Sequence, residues 1–255
     1  MKQSIILWIA AITITFLAGY AQRVKSPVYP INGTLDLVTG EASFSFDKVY
    51  GNKDGYKVLI VNNCKDLQGT LRWKDKGDTA SWHSVPMNSS GEALSAVIPA
   101  HQPLSEVEYR VTLVDQDQTF LVPVKEPAVI KFIGRVPSQI AMNYYLTLFA
   151  GLLLAIRTGF EIFKNKPRLR LYTIFTIISF FSFTFIFSTV RKGCELGIIG
   201  GTKIAPITDI FSSGPILLFA WWLLAIILIF NSHKPKIWAG AASVGTILIF
   251  LLGKF

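Results

Sequence analysis

The chain has 255 residues, of which 51% are hydrophobic and 16% charged, and its mean hydropathy is +0.44. A soluble domain carries about 25% charged residues, so this composition excludes an ordinary soluble protein. The net charge of +9 does not point to nucleic acid either: residues 22–137 hold 13 basic and 13 acidic side chains, residues 138–255 hold 11 and 3, and Lys2 supplies the remaining unit. The excess therefore sits between long apolar runs, where loop Lys and Arg set membrane orientation rather than bind polyanions.

A helix that crosses the hydrocarbon core needs about 20 mostly apolar residues. Five stretches without Asp, Glu, Lys or Arg meet or approach that length: 3–22, 136–156, 171–190, 210–233 and 237–253, the last with 17 residues. The first has two readings. Lys2 and the apolar run to Ala21 have the form of a secretory signal, with Gly19 and Ala21 as the small residues before a cut. Alternatively, residues 1–21 stay as an N-terminal transmembrane anchor. Either way the segment that follows is delivered across the membrane.

Between about residues 25 and 137 the pattern changes to short alternating runs. YKVLIV, GTLRWK, ALSAVIP, VEYRVTLV and AVIKFIG suit half-buried strands, separated by the turn formers NKDG, KDKGD, NSSGE and DQDQ. In the fourth run Val107, Tyr109, Val111 and Leu113 share one face, and Glu108, Arg110 and Thr112 the other. Short strands at this spacing over roughly 110 residues predict an antiparallel β-sandwich. The run GTLRWKDKGDTASWHSVPMNSSGEALSAVIPAHQPLSEVEYRVTLVD resembles a fibronectin type III or Ig-like accessory module over about residues 67–134. That resemblance implies fold alone, and such modules bind, space or dock more often than they catalyse. The KFIGRVP run before the helices is also similar to that of bacterial polytopic membrane proteins with a β-module in this position. This second likeness carries no activity with it.

Loop charge gives an orientation. Residues 157–170 hold five basic side chains against one Glu, residues 231–236 add two Lys, and residues 191–214 hold three basic and two acidic side chains. With both strongly basic loops in the cytoplasm, residues 22–137, the 191–214 loop and the C-terminus lie outside, as expected for an inner-membrane protein of a bacterium. The expectation is an α+β multi-domain membrane protein: residues 1–21 a signal peptide or anchor, 22–137 an extracytoplasmic β-sandwich, and 138–255 a four-helix transmembrane domain with helices at about 138–156, 171–190, 211–231 and 237–253.

Several groups of residues invite a chemical reading. His83, Met87 and His101 lie in a region expected outside the membrane, where His with Met suits soft copper. The expected mature N-terminus lacks the histidine such modules use, and Met87 reads better as a core residue beside Trp82. Cys64 and Cys194 are the only cysteines; they form a disulfide if their Cα atoms approach within about 7 Å, or stay as two thiols, the favoured reading. The loop 191–214 is rich in Gly193, Gly197, Gly200 and Gly201 yet apolar through Ile198, Ile199, Ile204 and Ile207. Arg191, Glu195, Thr208 and Asp209 there form either a small polar site, or ordinary helix ends, with Arg191 snorkelling and Thr208 or Asp209 capping the next helix.

Within the apolar runs the polar residues are of the kind of Thr173, Thr176, Ser179, Ser182, Thr184 and Ser188, which ordinarily bond back to helix carbonyls. Gly151, Ala155 and Gly159 line one helix face for close packing, within the molecule or in a homo-oligomer, and Ala241 and Gly245 repeat that spacing. Tyr144, Tyr145, Trp221, Trp222 and Trp238 read as interfacial anchors. The sequence contains no Walker A, GxGxxG, HExxH, GxSxG or EF-hand motif, and no metal, cofactor or nucleic-acid ligand is expected. The expected partners are the bilayer and a protein that meets the sandwich, in an accessory or scaffold role. The alternative is a transporter or enzyme with its site in the 191–214 loop.

Overall fold

A computed structural model of the chain describes residues 2–26, 28–51, 54–64, 66–78, 81–199 and 206–253. It is an α+β molecule of two compact units: one comprises Met1–Ser26, Val136–Cys194 and Ile198–Phe255, the other Pro27–Arg135 with Glu195–Gly197.

The β unit begins with the hairpin β1 (Ile31–Asp36) and β2 (Glu41–Phe46), then a two-residue β3 (Val49–Tyr50) and β4 (Tyr56–Asn62). There follow β5 (Gln68–Asp75), β6 (His83–Pro86), β7 (Asn88–Ser90), β8 (Ala93–Ile98), β9 (Glu106–Asp115), β10 (Gln118–Val122) and β11 (Ala128–Phe132). One sheet has the order β1-β2-β4-β8-β7; the second has β3-β11-β9-β5-β6, with β10 also on β9. Every pairing is antiparallel except the short β3–β11 contact.

The five strands expected from alternation are all present. Their buried residues follow the period of two: Tyr56, Val58 and Ile60 on β4, Leu94, Ala96 and Ile98 on β8, and Val107, Tyr109, Val111 and Leu113 on β9. Both sheets contribute to one apolar core, which also takes Phe46, Leu71, Ile130 and Phe132. A buried carboxylate ties the β1–β2 turn to the end of β9: Asp115 accepts from the Thr39 amide and the Thr39 hydroxyl, both at 2.8 Å. Both carboxylate oxygens are thus partnered, which burial requires.

The second unit contains α1 (Lys2–Lys25), α2 (Ser138–Phe160), α3 (Leu169–Phe181), α4 (Ser188–Glu195), α5 (Ser213–Asn231) and α6 (Pro235–Leu252). A π-helical segment, Ser182–Phe187, joins α3 to α4, so these form one continuous run. Among the described residues five helices are long and apolar enough to cross a membrane. Four of them lie within residues 138–255 as expected, and α1 is the fifth, which packs with the others: a Cβ on Gly19 would meet the Phe149 ring at 2.7 Å, and Gln22 Nε2 donates to the Gly253 carbonyl at 2.7 Å. Ala18 also lies in the shared helical core.

Burial pushes the Tyr109 phenol far above its ordinary value and raises that of Tyr56, despite the hydrogen bond Tyr56 accepts from the Asp47 amide. Below about pH 10 both folded and unfolded tyrosines hold their protons; above it only the unfolded chain releases them. Stability therefore falls as pH rises past about 10. In a tyrosinate absorbance titration, Y56F/Y109F is expected to match the wild type while folded and to show a smaller total rise once alkali unfolds both. An equal loss of absorbance in the folded range would contradict the burial account.

Candidate functional site

The outward face of the six-stranded sheet is built by the long β5–β9 pair. Because Leu71, Tyr109, Val111 and Leu113 point into the core, the alternate residues face away from it. The register sets Thr70 opposite Thr112, Arg72 opposite Arg110 and Lys74 opposite Glu108. The Lys74 ammonium lies 3.5 Å from the Glu108 carboxylate and 5.3 Å from the centre of the Trp82 ring. Near the end of this face Lys76 and Glu106 pair at 2.7 Å, which raises the lysine and lowers the glutamate relative to their ordinary values. Arg110 Nη2 donates to the Lys125 carbonyl at 3.3 Å.

The two histidines of the β unit gather elsewhere, around Trp73. The His83 ring stacks on it at 4.4 Å, and His101 meets it edge-on at 5.4 Å. His101 Nε2 is 3.2 Å from Asp75, while Nδ1 lies 2.7 Å from the Pro99 carbonyl. Met87 is not with them; it is 8% exposed and sits in the core over Gly69. Among the described residues no group of three His, Cys, Asp or Glu side chains could hold a metal.

In the helical unit the unexpected feature is ionic. The expected helix ended at residue 156, but α2 runs through Arg157, and a 3-10 turn continues it to Phe163. Arg157 and Glu161 are both fully buried, and Nη1 meets Oε1 at 2.7 Å. Lys164 Nζ reaches the same oxygen at 3.1 Å, and the Arg168 amide donates to Oε2 at 2.6 Å. The Arg157 guanidinium lies beside the edge-on pair of rings formed by Trp8 on α1 and Tyr172 on α3, 5.3 and 4.9 Å from their centres. Sequence reading treated Arg157 as a flanking charge. The signal that was available is the one-turn spacing of Arg157 and Glu161, which places opposite charges on one helix face.

The small-residue stripe of α2 is used for internal contacts. Ala155 is fully buried, a Cβ on Gly151 would strike Phe180 of α3, and a Cβ on Gly159 would strike Ser243 of α6. Gly245 of α6 gives the same close approach to Trp221. Thr176 bonds back to the Tyr172 carbonyl as expected, whereas two hydroxyls bond across helices: Ser179 to the Thr147 carbonyl at 2.9 Å and Thr184 to the Pro215 carbonyl at 2.9 Å. Trp222 is corrected from an anchor to a core residue, fully buried with Nε1 donating to Thr246 at 2.8 Å; Tyr144 is buried as well.

The four polar residues singled out near 191–214 fall two and two on α4 and on the 3-10 turn Ile207–Ile210. Arg191 is on α4, its guanidinium 4.2 Å from the Tyr144 ring and 5.4 Å from the Tyr145 ring. Glu195 ends α4, where its carbonyl accepts the Gly134 amide at 2.8 Å. Thr208 and Asp209 sit in the 3-10 turn Ile207–Ile210, and α5 starts after Ser212, so neither caps it. Gly200, Gly201 and Ile204 fall outside the described residues. Cys64 is a half-buried thiol of the β unit and Cys194 a buried thiol of α4.

Neither the known protein-family models nor the curated proteins give a match to this chain.

Removing one partner of a buried ion pair costs about 3–5 kcal/mol, because the other charge stays in a low-dielectric interior. R157M and E161Q are each expected to lose stability on that scale in detergent thermal unfolding. R157M/E161Q is expected to lose less than the sum of the two single losses. Strict additivity would show that the pair is not coupled.

Proposed function

We propose that this protein is an integral membrane anchor carrying an extracytoplasmic β-sandwich of the Ig or fibronectin III type, and that the sandwich docks a protein partner in an accessory or scaffold role. Two sheets with one shared core support the sandwich, and the basic loops at 157–170 and 231–236 support its placement outside a bacterial inner membrane. The observation that carries the docking role is the broad outward face of β5 and β9, where arginine, threonine, an aromatic ring and paired charges stand together. Arginine and aromatic residues are the types enriched where proteins meet.

The helical unit fits the part of anchor because its buried charged and indole groups are turned inward, toward one another. Arg157, Glu161 and Lys164 form one cluster, and the Trp221 and Trp222 N–H groups donate to Ala242 and Thr246 of α6. The groove between α5 and α6, about 320 Å³ and lined by Trp221, Leu228 and Trp238 among others, is apolar.

Two experiments test this reading. With C64S/C194S as background, an impermeant maleimide is expected to label D117C in intact spheroplasts and K166C only after lysis; the reverse pattern would invert the topology. A benzoylphenylalanine placed at Thr112 is expected to crosslink one discrete protein in the native host. The same probe at Leu59, exposed on the other sheet, serves for comparison. No adduct from either face would refute docking by the β unit.

A further inference from the structure

On the outward face of the six-stranded sheet the carboxylates are already taken. Glu108 pairs with Lys74 and Glu106 with Lys76. Between those pairs and the threonine row stand Arg72 and Arg110, directly opposite each other across the strands. Cross-strand partners have Cβ atoms about 5 Å apart, and like charges so placed destabilise a sheet. Among the described residues no carboxylate lies within ion-pair distance of either guanidinium.

Arg110 adds a sharper observation. Its Nη2 has the Lys125 carbonyl, but its Nε is shielded from solvent and has no acceptor. A buried donor without a partner costs about 1–3 kcal/mol, more when the group is charged. Two costs of different origin, repulsion and an unmet donor, thus fall on one residue, and an anion placed between the two guanidinium ends removes the repulsion. A carboxylate suits the position because its two oxygens can accept from both guanidinium groups.

We infer that the Arg72–Arg110 pair is the receiving site for an acidic side chain, Asp or Glu, of a protein partner. This rests on the docking role proposed above and gives it a chemistry. Charge complementarity selects the acidic group. A protein is selected over a glycan or a lipid surface by what flanks the pair. On one side stand Thr70, Thr112, Val114 and Leu121, the last two 37% and 42% exposed. An apolar margin beside exposed and half-buried arginine is the composition of a protein interface.

The test uses the full-length protein in non-ionic detergent and a fluorescein-labelled hexaglutamate peptide, read by anisotropy at low salt. R110Q is expected to weaken binding at least tenfold and R72Q/R110Q further still. K57Q, an equal charge change on the outward side of β4, is expected to change it less than twofold. The melting temperature of R110Q is expected to equal or exceed that of the wild type, since a like-charge contact is relieved. Equal weakening by K57Q and R110Q would reduce the effect to net charge and overturn the site. A lowered melting temperature with unchanged binding would make Arg110 structural and overturn it too. Tighter, Arg110-dependent binding of oligogalacturonate or of phosphatidylglycerol vesicles would reassign the pair to a glycan or a membrane. Failure here is separable from failure of docking itself: if the probe at Thr112 still crosslinks a partner while R110Q binds the peptide normally, docking stands and this site falls.

Discussion

Charge buried among apolar helices must be answered locally, since no water is present to share it. Arg157 sets that demand on α2, and the helical unit is arranged to meet it. Glu161 stands one turn along, Lys164 and the Arg168 amide share its carboxylate, and the Trp8–Tyr172 ring pair lies against the guanidinium. Four otherwise separate segments are drawn to one point by this requirement: α1, α2, α3 and the turn between α2 and α3. Lys236 of α6 joins them through the Lys164 carbonyl. Apolar packing alone is a weak organiser of helices in lipid, where the solvent is as apolar as the side chains. A single buried cation with a fixed set of partners gives the register that packing leaves open.

The β unit solves a different problem in a different way. Its strands are held by burial from both sheets onto one core, and its polar groups are used at the margins. Asp115 is buried nonetheless, as Asn62 is, and is satisfied by Thr39, where it fastens the first hairpin to the last long strand. A face built this way displays its side chains at fixed cross-strand spacing. That suits recognition of groups at defined separations better than chemistry, which asks for convergent side chains in a cleft.

How much of this could be read in advance depends on burial on one side only. β4, β8, β9 and β11 alternate cleanly because one face is core and the other is not, and each was legible. β6 and β7 are exposed at every position, so no alternation exists to find. β10 has a single buried residue, Val122. β1 hides behind Asn32 and Gly33, where the glycine is required because the Phe44 ring lies over it. In the helices, hydropathy located the spans, yet it also ended the second span at Arg157, since a charge in an apolar run reads as its boundary. Trp222 was assigned to an interface for the same reason: composition tells which residues tolerate the bilayer edge, and only packing tells which ones are there. At the candidate site, the outward placement of Glu108, Arg110 and Thr112 was legible, whereas the pairing of Arg110 with Arg72 required the register of β5 on β9.

The π-helical segment Ser182–Phe187 has a consequence for everything beyond it. An α-helix advances about 100° per residue, and a π segment is in effect one residue inserted into that progression. The chain from Ser188 onward is therefore rotated by about a quarter turn relative to an uninterrupted helix continuing α3. That offset brings Arg191 over Tyr144 and turns Cys194 inward. The extra residue works as a phase shift: α3 and α4 share an axis but present different faces of the same sequence pattern to their neighbours.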